Sequence, residues 1–487
     1  MDRLKRKIDD YLVEWKNSNP KMPLIIKGAR QIGKTNAIRN FGNNNYKVFI
    51  EINFALQPKF KTIFADGFEV DDIIKNITIK LPKIEIIPKE TLIFFDEIQE
   101  CINTATSLKS FREDGRFDVI CSGSLMGINY KEIESNSVGN KEDYIMTSLD
   151  FEEFLWAKGY KKEQIDDLYN HMLELKPLSK TFYDTMLINF RDYMIVGGMP
   201  LIVSTFIKNN HFSGILKMQQ QILLDYEEDI TKYAGGLDKT KILNAYKKIP
   251  VFLGNDNKKF QITKIAHGAR NREYIGVIEW LSNAGIVNIS YCMENVNLPL
   301  KGNYNPNHYR LYFADTGLLI GSLDEEIQND LRNNENMNTY KGALYENIVA
   351  DMLVKEGYNL YFYRDDSKKV EIDFLIRDAK TLIPIEVKAN DNSTVSLNTL
   401  INNKHYDDVK YGIKLCNKNI GYNGTFYTFP YFLTFLLKRY LKEKKDWKKL
   451  HFNDVNPILE TSNKKLRLEK NQGRTKLVHL DPWFFIM

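Results

Sequence analysis

A chain of 487 residues is too long for one ordinary domain and sets an expectation of about three. Hydrophobic residues make up 43% and charged residues 27%, the balance of a soluble globular protein, and a net charge of +5 permits nucleic acid as a partner without arguing for it. No apolar run is long enough to cross a bilayer, and Met1-Asp2-Arg3-Leu4-Lys5-Arg6-Lys7 has no apolar signal region. The four cysteines (Cys101, Cys121, Cys292, Cys416) are scattered without C-x-x-C spacing. These features predict a cytoplasmic protein with no membrane partner and no cysteine zinc site.

The first element with chemistry is Gly28-Ala29-Arg30-Gln31-Ile32-Gly33-Lys34-Thr35, which fits G-x-x-x-x-G-K-S/T at every fixed position. Pro23 to Lys27 reads as an apolar strand entering this loop, and Asn36 to Phe41 as a helix leaving it. That strand–loop–helix context is what a phosphate-binding loop requires. Backbone N–H groups of the turn and of the helix N-terminus point at anionic oxygens. Lys34 is expected to reach the β- and γ-phosphates of ATP, and Thr35 to hold Mg²⁺ through its hydroxyl.

Downstream, Tyr46 to Ile52 reads as a strand, and Thr91-Leu92-Ile93-Phe94-Phe95-Asp96-Glu97 as a second one. The latter is an uninterrupted apolar run, as a central parallel strand buried on both faces should be. It ends in two acids. Asp96 is the expected metal carboxylate and Glu97 the residue that polarises the attacking water. Phe117 to Cys121 predicts a further strand ending at Ser122-Gly123-Ser124. Ser122 or Ser124 then stands where a γ-phosphate sensor belongs, although serine turns after strands are common. Arg112 and Arg116 are candidate arginine fingers, unless a neighbouring subunit supplies one. The alternation of strands and helices predicts a doubly wound α/β domain over residues 1–150 with nucleotide at the strand ends.

The phosphate loop, the Phe-Phe-Asp-Glu-Ile-Gln strand end and Cys121-Ser122-Gly123-Ser124 resemble the AAA-type ATPase domain of prokaryotic ATP-binding proteins related to the archaeal ATPases. Leu149-Asp150-Phe151-Glu152-Glu153-Phe154-Leu155 is similar to that group's link out of the ATPase core, and Gly197-Gly198-Met199-Pro200 also matches it. The resemblance extends to about Lys445.

Residues 151–335 read as a helical subdomain followed by a winged helix. Asp225-Tyr226-Glu227-Glu228-Asp229-Ile230 is expected to be a charged, solvated helix face. Gln261 to Ala266 predicts a short helix. Asn271 caps a second one, whose Tyr274, Val277, Ile278 and Leu281 form one apolar stripe ended by Gly285. Ile286 to Tyr291 and Arg310 to Ala314 read as two strands around a loop with Pro299, Gly302 and Pro306. The resemblance includes Tyr312 to Leu319. Such a module places its second helix in the DNA major groove, with Lys258, Lys259, Lys264, Arg270 and Arg272 on phosphates, or else serves as a connector.

Residues 336–441 carry a third constellation. Glu371-Ile372-Asp373-Phe374 is followed by Ile383-Pro384-Ile385-Glu386-Val387-Lys388. This is the pattern of the PD-(D/E)XK nuclease superfamily. Alternation along a strand points Glu386 and Lys388 into one site, beside Asp373 from the other strand of a hairpin. Asp373 and Glu386 are the expected metal ligands, with Lys388 on the nucleophile. Gly342 to Val349 looks like the preceding helix of that superfamily, so Glu346 joins the expected ligand set. The superfamily's proline is absent at Val370-Glu371, and Glu371 points away from the ligand face. Residues 442–487 are a basic tail of uncertain structure.

The sequence therefore predicts an ATP-binding, ATP-hydrolysing α/β protein acting on DNA, with Mg²⁺ as cofactor and a possible metal-dependent nuclease domain. Two alternatives stand beside it. One is an ATP-driven switch or sensor, alone or as a homo-oligomer with a protein partner, whose C-terminal domain binds without cleaving. The other is a winged-helix regulator.

Overall fold

The computed structural model describes residues 3–125, 137–234, 239–253, 271–323, 326–333, 335, 340–379, 381–389, 394–403 and 405–444. The chain divides into two units, Met1–Phe435 and Leu436–Met487, and all elements named below belong to the first. Among the described residues no helix is long and apolar enough to cross a membrane.

The N-terminal elements are α1 (Lys7–Lys16), β1 (Leu24–Gly28), α2 (Lys34–Asn45), β2 (Val48–Asn53), α3 (Val70–Lys80), β3 (Thr91–Asp96), α4 (Asn103–Asp114), β4 (Asp118–Ser124) and β5 (Glu142–Ile145). The strands pair in the order β2-β3-β4-β1-β5, all parallel. Every residue of β1 and β3 is buried, which is why Leu24 to Ile26 and Leu92 to Phe95 read as apolar runs. One strand, β4, separates the phosphate-loop strand from the acidic one; β1–β4 pairing sets Gly28 opposite Ser124, and β2–β3 pairing sets Asn53 opposite Asp96. The strand expected to end at Ser122-Gly123-Ser124 is β4, which runs through all three residues and is paired with β1 through Ile26–Ser122 and Gly28–Ser124.

The middle of the chain is helical: α5 (Phe151–Ala157), α6 (Lys162–Leu173), α7 (Lys180–Val196), α8 (Pro200–Asn209), α9 (Ile215–Tyr233), α10 (Lys239–Leu253) and α11 (Asn271–Asn283). A capping box starts α5: Asp150 accepts from the Glu153 N–H at 2.8 Å and Glu153 from the Asp150 N–H at 3.0 Å. Proline at the first turn of α8 uses a position where the missing N–H costs nothing. The Gly197-Gly198 pair sits between these helices because of close approach. A Cβ on Gly198 would lie 2.1 Å from the Leu149 carbonyl oxygen, and Gly197 has φ +74 with Asp315 Oδ1 2.1 Å from where its Cβ would be.

After α11 come β6 (Val287–Met293), β7 (Tyr304–Phe313), α12 (Thr316–Gly321), α13 (Ile327–Asn333), α14 (Tyr340–Lys355), β8 (Leu360–Asp365), β9 (Val370–Ile372), β10 (Phe374–Asp378), β11 (Thr381–Val387), α15 (Val395–Asn402), β12 (Gly412–Cys416), β13 (Gly421–Tyr422) and β14 (Phe426–Pro430). The helix expected at 261–266, and Lys258, Lys259, Lys264 and Arg270, lie outside the described residues. The two expected wing strands do pair antiparallel, but β6 also pairs parallel with β8. The result is a four-stranded sheet, β7-β6-β8-β9, that crosses residue 335. Pro306, expected in the loop, falls inside β7, where an edge strand tolerates the missing donor. The second mixed sheet has the order β10-β11-β12-β14-β13. Its β10 and β11 form the expected antiparallel hairpin, and β11 continues parallel to β12.

Candidate nucleotide site and carboxylate cluster

Two groups of polar side chains stand out. The first lies at the C-terminal ends of β1, β3 and β4. Gly33 enters α2 with φ +92 and Gln31 also has positive φ (63), so the loop turns back on itself before the helix begins. A side chain at Gly28 would meet Met146 O at 2.4 Å. Lys34 Nζ donates to the carbonyls of Gly28 (3.1 Å) and Ala29 (2.8 Å). Its pKa is lowered to about 8: burial removes water from the ammonium, Arg30 adds to the effect, and Glu97 and Asp96 only partly offset it.

Asp96 collects the polar groups around it. Thr35 Oγ1 donates to Asp96 Oδ2 at 3.2 Å and Asn53 Nδ2 to the same oxygen at 2.9 Å. Ser122 Oγ and the Glu97 N–H (3.1 Å) donate to Asp96 Oδ1. Glu97 itself has φ 55, a left-handed backbone that a glutamate adopts at a cost, and accepts from Gln99 Nε2. Ser124 is buried at the end of β4 opposite Gly28, and Ile32 is buried under the loop. The residues fit a nucleotide with its metal: a hydroxyl and a carboxylate 3.2 Å apart, an ammonium held only by carbonyls, and a glycine turn into a helix N-terminus.

Three features of this site were not foreseen. Asn53, at the end of β2, read only as the residue after a strand. Arg6 is buried and binds the loop from below, donating to Ile32 O at 2.9 Å, Thr147 O at 2.8 Å and Glu153 at 3.0 Å. The third is a correction. The acidic segment of α9, expected to be a solvated face, lies against the phosphate loop. Arg30 pairs with Asp229 at 2.8 Å and donates to the Tyr233 hydroxyl at 2.9 Å, while Gln31 donates to Asp225 at 2.7 Å. The two variable polar residues of the loop find their partners in a helix some two hundred residues away, which no local pattern reveals.

Arg112 and Arg116 are engaged elsewhere. Arg112 donates to Gly139 O at 2.6 Å and Asn140 at 2.9 Å, and Arg116 pairs with Asp114 and Asp71, both at 2.6 Å.

The second group belongs to β7, α14 and the β9–β11 region, and includes the predicted residues Glu346, Asp373, Glu386 and Lys388. Asp373, between β9 and β10, accepts from the Val387 N–H at 2.8 Å. Lys388 Nζ pairs with Glu386 Oε1 at 2.6 Å. Burial opposes the charge of Lys388, but the hydrogen bond to Glu386 and the charges of Glu386, Asp373 and Glu346 win and raise its pKa. For Glu386 burial wins over Lys388 and Lys414, and its pKa is raised. Glu386 Oε2 is buried without a hydrogen-bond partner.

Arg310 is the member that sequence reading missed. Among the described residues it is the largest of the fully buried side chains, at 0% exposure, and comes from β7. Its Nη1 lies 3.9 Å from both Glu346 Oε2 and Asp373 Oδ1, and its Nη2 pairs with Glu371. Tyr312, two residues on, donates to Glu346 at 3.4 Å. Glu371, expected to take no part, is drawn in because Arg310 and Arg364 (3.5 Å) both reach it. As arranged, these residues do not fit a divalent ion. Among the described residues no three His, Cys, Asp or Glu side chains converge where one could be held, and a guanidinium stands beside two of the expected ligands.

Comparisons with known proteins bear on the first group. Residues 20–155 match the family model described as an AAA domain, and are an AAA-type ATPase domain. Residues 187–327 and 341–432 match two families described as domains of unknown function, DUF8612 and DUF4143. No curated protein matches the chain. Among solved structures, the Walker-type ATPase paby2304 of Pyrococcus abyssi is similar at 12% identity and a TM-score of 0.40, over 66% of this chain and 96% of that one. The Orc1 protein of Aeropyrum pernix in complex with DNA is similar at 11% identity and a TM-score of 0.27, over 68% and 91%. The RuvB Holliday junction branch migration motor of Thermotoga maritima is similar at 13% identity and a TM-score of 0.27, over 58% and 89%.

Proposed function

We propose that this chain is an ATP-driven switch that acts on DNA, with a C-terminal domain that binds without cutting. The observation that carries the reading is the tie between the phosphate loop and α9, made by Arg30 with Asp229 and Gln31 with Asp225. A loop that must hold phosphates is held, in turn, by the helical section. A change at the loop therefore changes the seat of α9.

The roles follow from the geometry. Lys34, whose Nζ donates to the Gly28 and Ala29 carbonyls, would turn to the β- and γ-phosphates of a bound nucleotide. Asp96 and Thr35 would hold Mg²⁺, which when bound neutralises phosphate charge. Ser122 and Asn53 orient Asp96 through their hydrogen bonds. Glu97 leaves Gln99 to polarise the attacking water. Arg30 belongs to the same loop, so nucleotide charge competes with Asp229 for its guanidinium. DNA is the partner proposed for the basic stretch around α11, with the winged helix as its reader.

One observation favours metal-dependent cleavage as a second reading: Glu346, Asp373 and Glu386 all act on the charge of Lys388, as the residues of a PD-(D/E)XK nuclease would. Incubation of the purified protein with linear and circular DNA, ATP and Mg²⁺ or Mn²⁺ separates the two. The expected result is ATP hydrolysis that Lys34→Ala abolishes, with the DNA intact. DNA cleavage by the wild type that Lys388→Ala removes would overturn the non-cleaving reading.

A further inference from the structure

The carboxylate cluster presents a charge problem that the proposed switch leaves open. Glu346, Asp373 and Glu386 are all buried. Carboxylates removed from water need a counter-charge close by. Lys388 supplies one to Glu386 at 2.6 Å. Glu346 and Asp373 come from different elements, α14 and the β9–β10 junction, and Arg310 Nη1 stands 3.9 Å from an oxygen of each. The same guanidinium reaches Glu371 through Nη2, and its central carbon lies 4.2 Å from the centre of the Phe362 ring, which favours a cation over its face. Burial opposes the charge of Arg310, but Tyr312 first and then Glu346, Glu371 and Asp373 outweigh it and hold the guanidinium charged.

A fully buried arginine is costly, and this one is incompletely satisfied. Its Nε and Nη1 have no hydrogen-bond partner, and neither does Glu386 Oε2. Nη1 is too far from either carboxylate for a hydrogen bond, yet near enough for strong attraction at low dielectric. Apart from the Nη2 hydrogen bond to Glu371, charge rather than hydrogen bonding therefore explains its place between Glu346 and Asp373. A second cation near Glu346 and Asp373 would face the same guanidinium at close range.

We propose that Arg310 is the resident counter-ion of the carboxylate cluster, and that its guanidinium and a divalent cation are mutually exclusive occupants. The inference rests on the reading of the C-terminal domain as a non-cleaving scaffold and gives that reading its physical cause. It also makes the cluster a joint product of two parts of the chain, since β7 precedes residue 335 and the carboxylates follow it. Arg310 lies five residues before Asp315, which accepts from Ser148 Oγ at 2.7 Å and the Gly198 N–H at 2.8 Å. The strand that supplies the counter-ion is thus anchored at the exit from the ATPase domain.

The test is Mn²⁺ binding to the full chain without nucleotide, read by the electron paramagnetic resonance of free Mn²⁺ and by calorimetry. Wild type is expected to show no binding that Asp373→Asn removes. Arg310→Met is expected to gain one site, at least about a hundredfold tighter than any in wild type, since a like charge at this range is lost. The gain should vanish in Arg310→Met combined with Asp373→Asn. Arg310→Gln repeats the experiment if the methionine variant does not fold, and circular dichroism checks each protein. A folded Arg310 variant that gains no site overturns the inference. So does wild-type binding that Asp373→Asn removes, and this wild-type comparison decides alone if neither variant folds. The two readings fail separately. Mn²⁺ held by wild type without DNA cleavage rejects the counter-ion and leaves the scaffold, whereas cleavage lost in Lys388→Ala rejects the scaffold.

Discussion

The N-terminal and C-terminal sites draw on the same residue types, a lysine among aspartates and glutamates, and the lysines behave oppositely. Lys34 rests on two backbone carbonyls, and burial lowers its pKa to about 8. Lys388 is locked onto Glu386 at 2.6 Å, and its pKa is raised. Both are partly buried, so burial alone does not decide. What differs is the counter-charge. Asp96 is occupied by Thr35, Asn53 and Ser122, and Glu97 by Gln99, so no carboxylate pairs directly with Lys34. An ammonium without a carboxylate partner is ready for an anion. One already paired is not, and at the second site Arg310 stands beside the remaining carboxylates.

The largest effect that would break this comparison is on catalysis. Lys34→Ala is expected to lower ATP hydrolysis by at least about a hundredfold, because a preorganised charge at the phosphates is lost. Lys388→Ala should leave hydrolysis unchanged within about twofold, since its partners lie in the other site. Phosphate release measured on the two variants checks both. Equal losses would mean that the sites are one machine.

The next effect concerns what joins the regions. Gly198→Ala places a Cβ 2.1 Å from the Leu149 carbonyl oxygen and 2.8 Å from its nitrogen. Backbone cannot yield as a flexible side chain would, so the cost is expected to be about 1–3 kcal/mol or more. Thermal unfolding followed by circular dichroism should show the loss, whereas Gly67→Ala, with open space around it, suffers only the strain of its φ of +119. An undiminished melting temperature in Gly198→Ala would show that Leu149 and Gly198 are not packed as described.

Legibility from sequence divides along similar lines. The phosphate loop and the β3 acids were legible because a single local stretch carries each: glycine spacing before a helix, and an apolar run ending in acid. The β10–β11 hairpin was legible because alternation is also local. The Leu149, Gly197-Gly198 and Tyr312–Leu319 segments were recognisable through the resemblance, but not their meeting, in which Asp315 binds Ser148 and Gly198. Arg310 was read as the first residue of a wing strand. Nothing nearby marks it, because its partners lie 36 to 63 positions on and meet it only through the β6–β8 pairing that unites the sheet. Asp229 escapes local reading for the same reason: a buried carboxylate paired with a part-exposed arginine and a solvated charge look alike until the partner segment is placed.

The shifted pKa of Lys34 gives a pH test of the anion-ready lysine. Burial lowers its pKa from the ordinary 10.5 to about 8, so Lys34 is charged at pH 7 and mostly neutral at pH 9. Phosphate binding favours the charged form, so the complex must take up a proton above pH 8 but not below it. Affinity for ATP is therefore expected to be flat up to about pH 7.5 and about tenfold weaker at pH 9. Calorimetry in buffers of different ionisation enthalpy reads both the affinity and the proton. Lys34→Arg, charged throughout, should lose the dependence. A flat profile in wild type would place the ammonium in a wetter setting than its burial implies.

The smallest expected effect tests the arginines. Hydrolysis of a phosphoanhydride is accelerated when an arginine reaches the charge that develops on the transferred group. Arg112 is bonded to Gly139 O and Asn140, and Arg116 to Asp114 and Asp71. Neither arrangement directs the guanidinium to Lys34 or Asp96. Arg112→Ala and Arg116→Ala are each expected to change kcat by less than about twofold, because an arginine engaged outside the reacting centre gives the transition state nothing to lose. A loss of a hundredfold or more in either variant, if it depended on protein concentration and were restored by mixing with Lys34→Ala chains, would show that the arginine acts across a contact between copies. A concentration-independent loss of that size would instead require α4 or the segment after it to move towards Lys34 during turnover. Wild-type rates from both variants would leave Arg30, a residue of the phosphate loop itself and paired with Asp229, and Arg6, which donates to Ile32 O, as arginines of the described chain that already touch the loop.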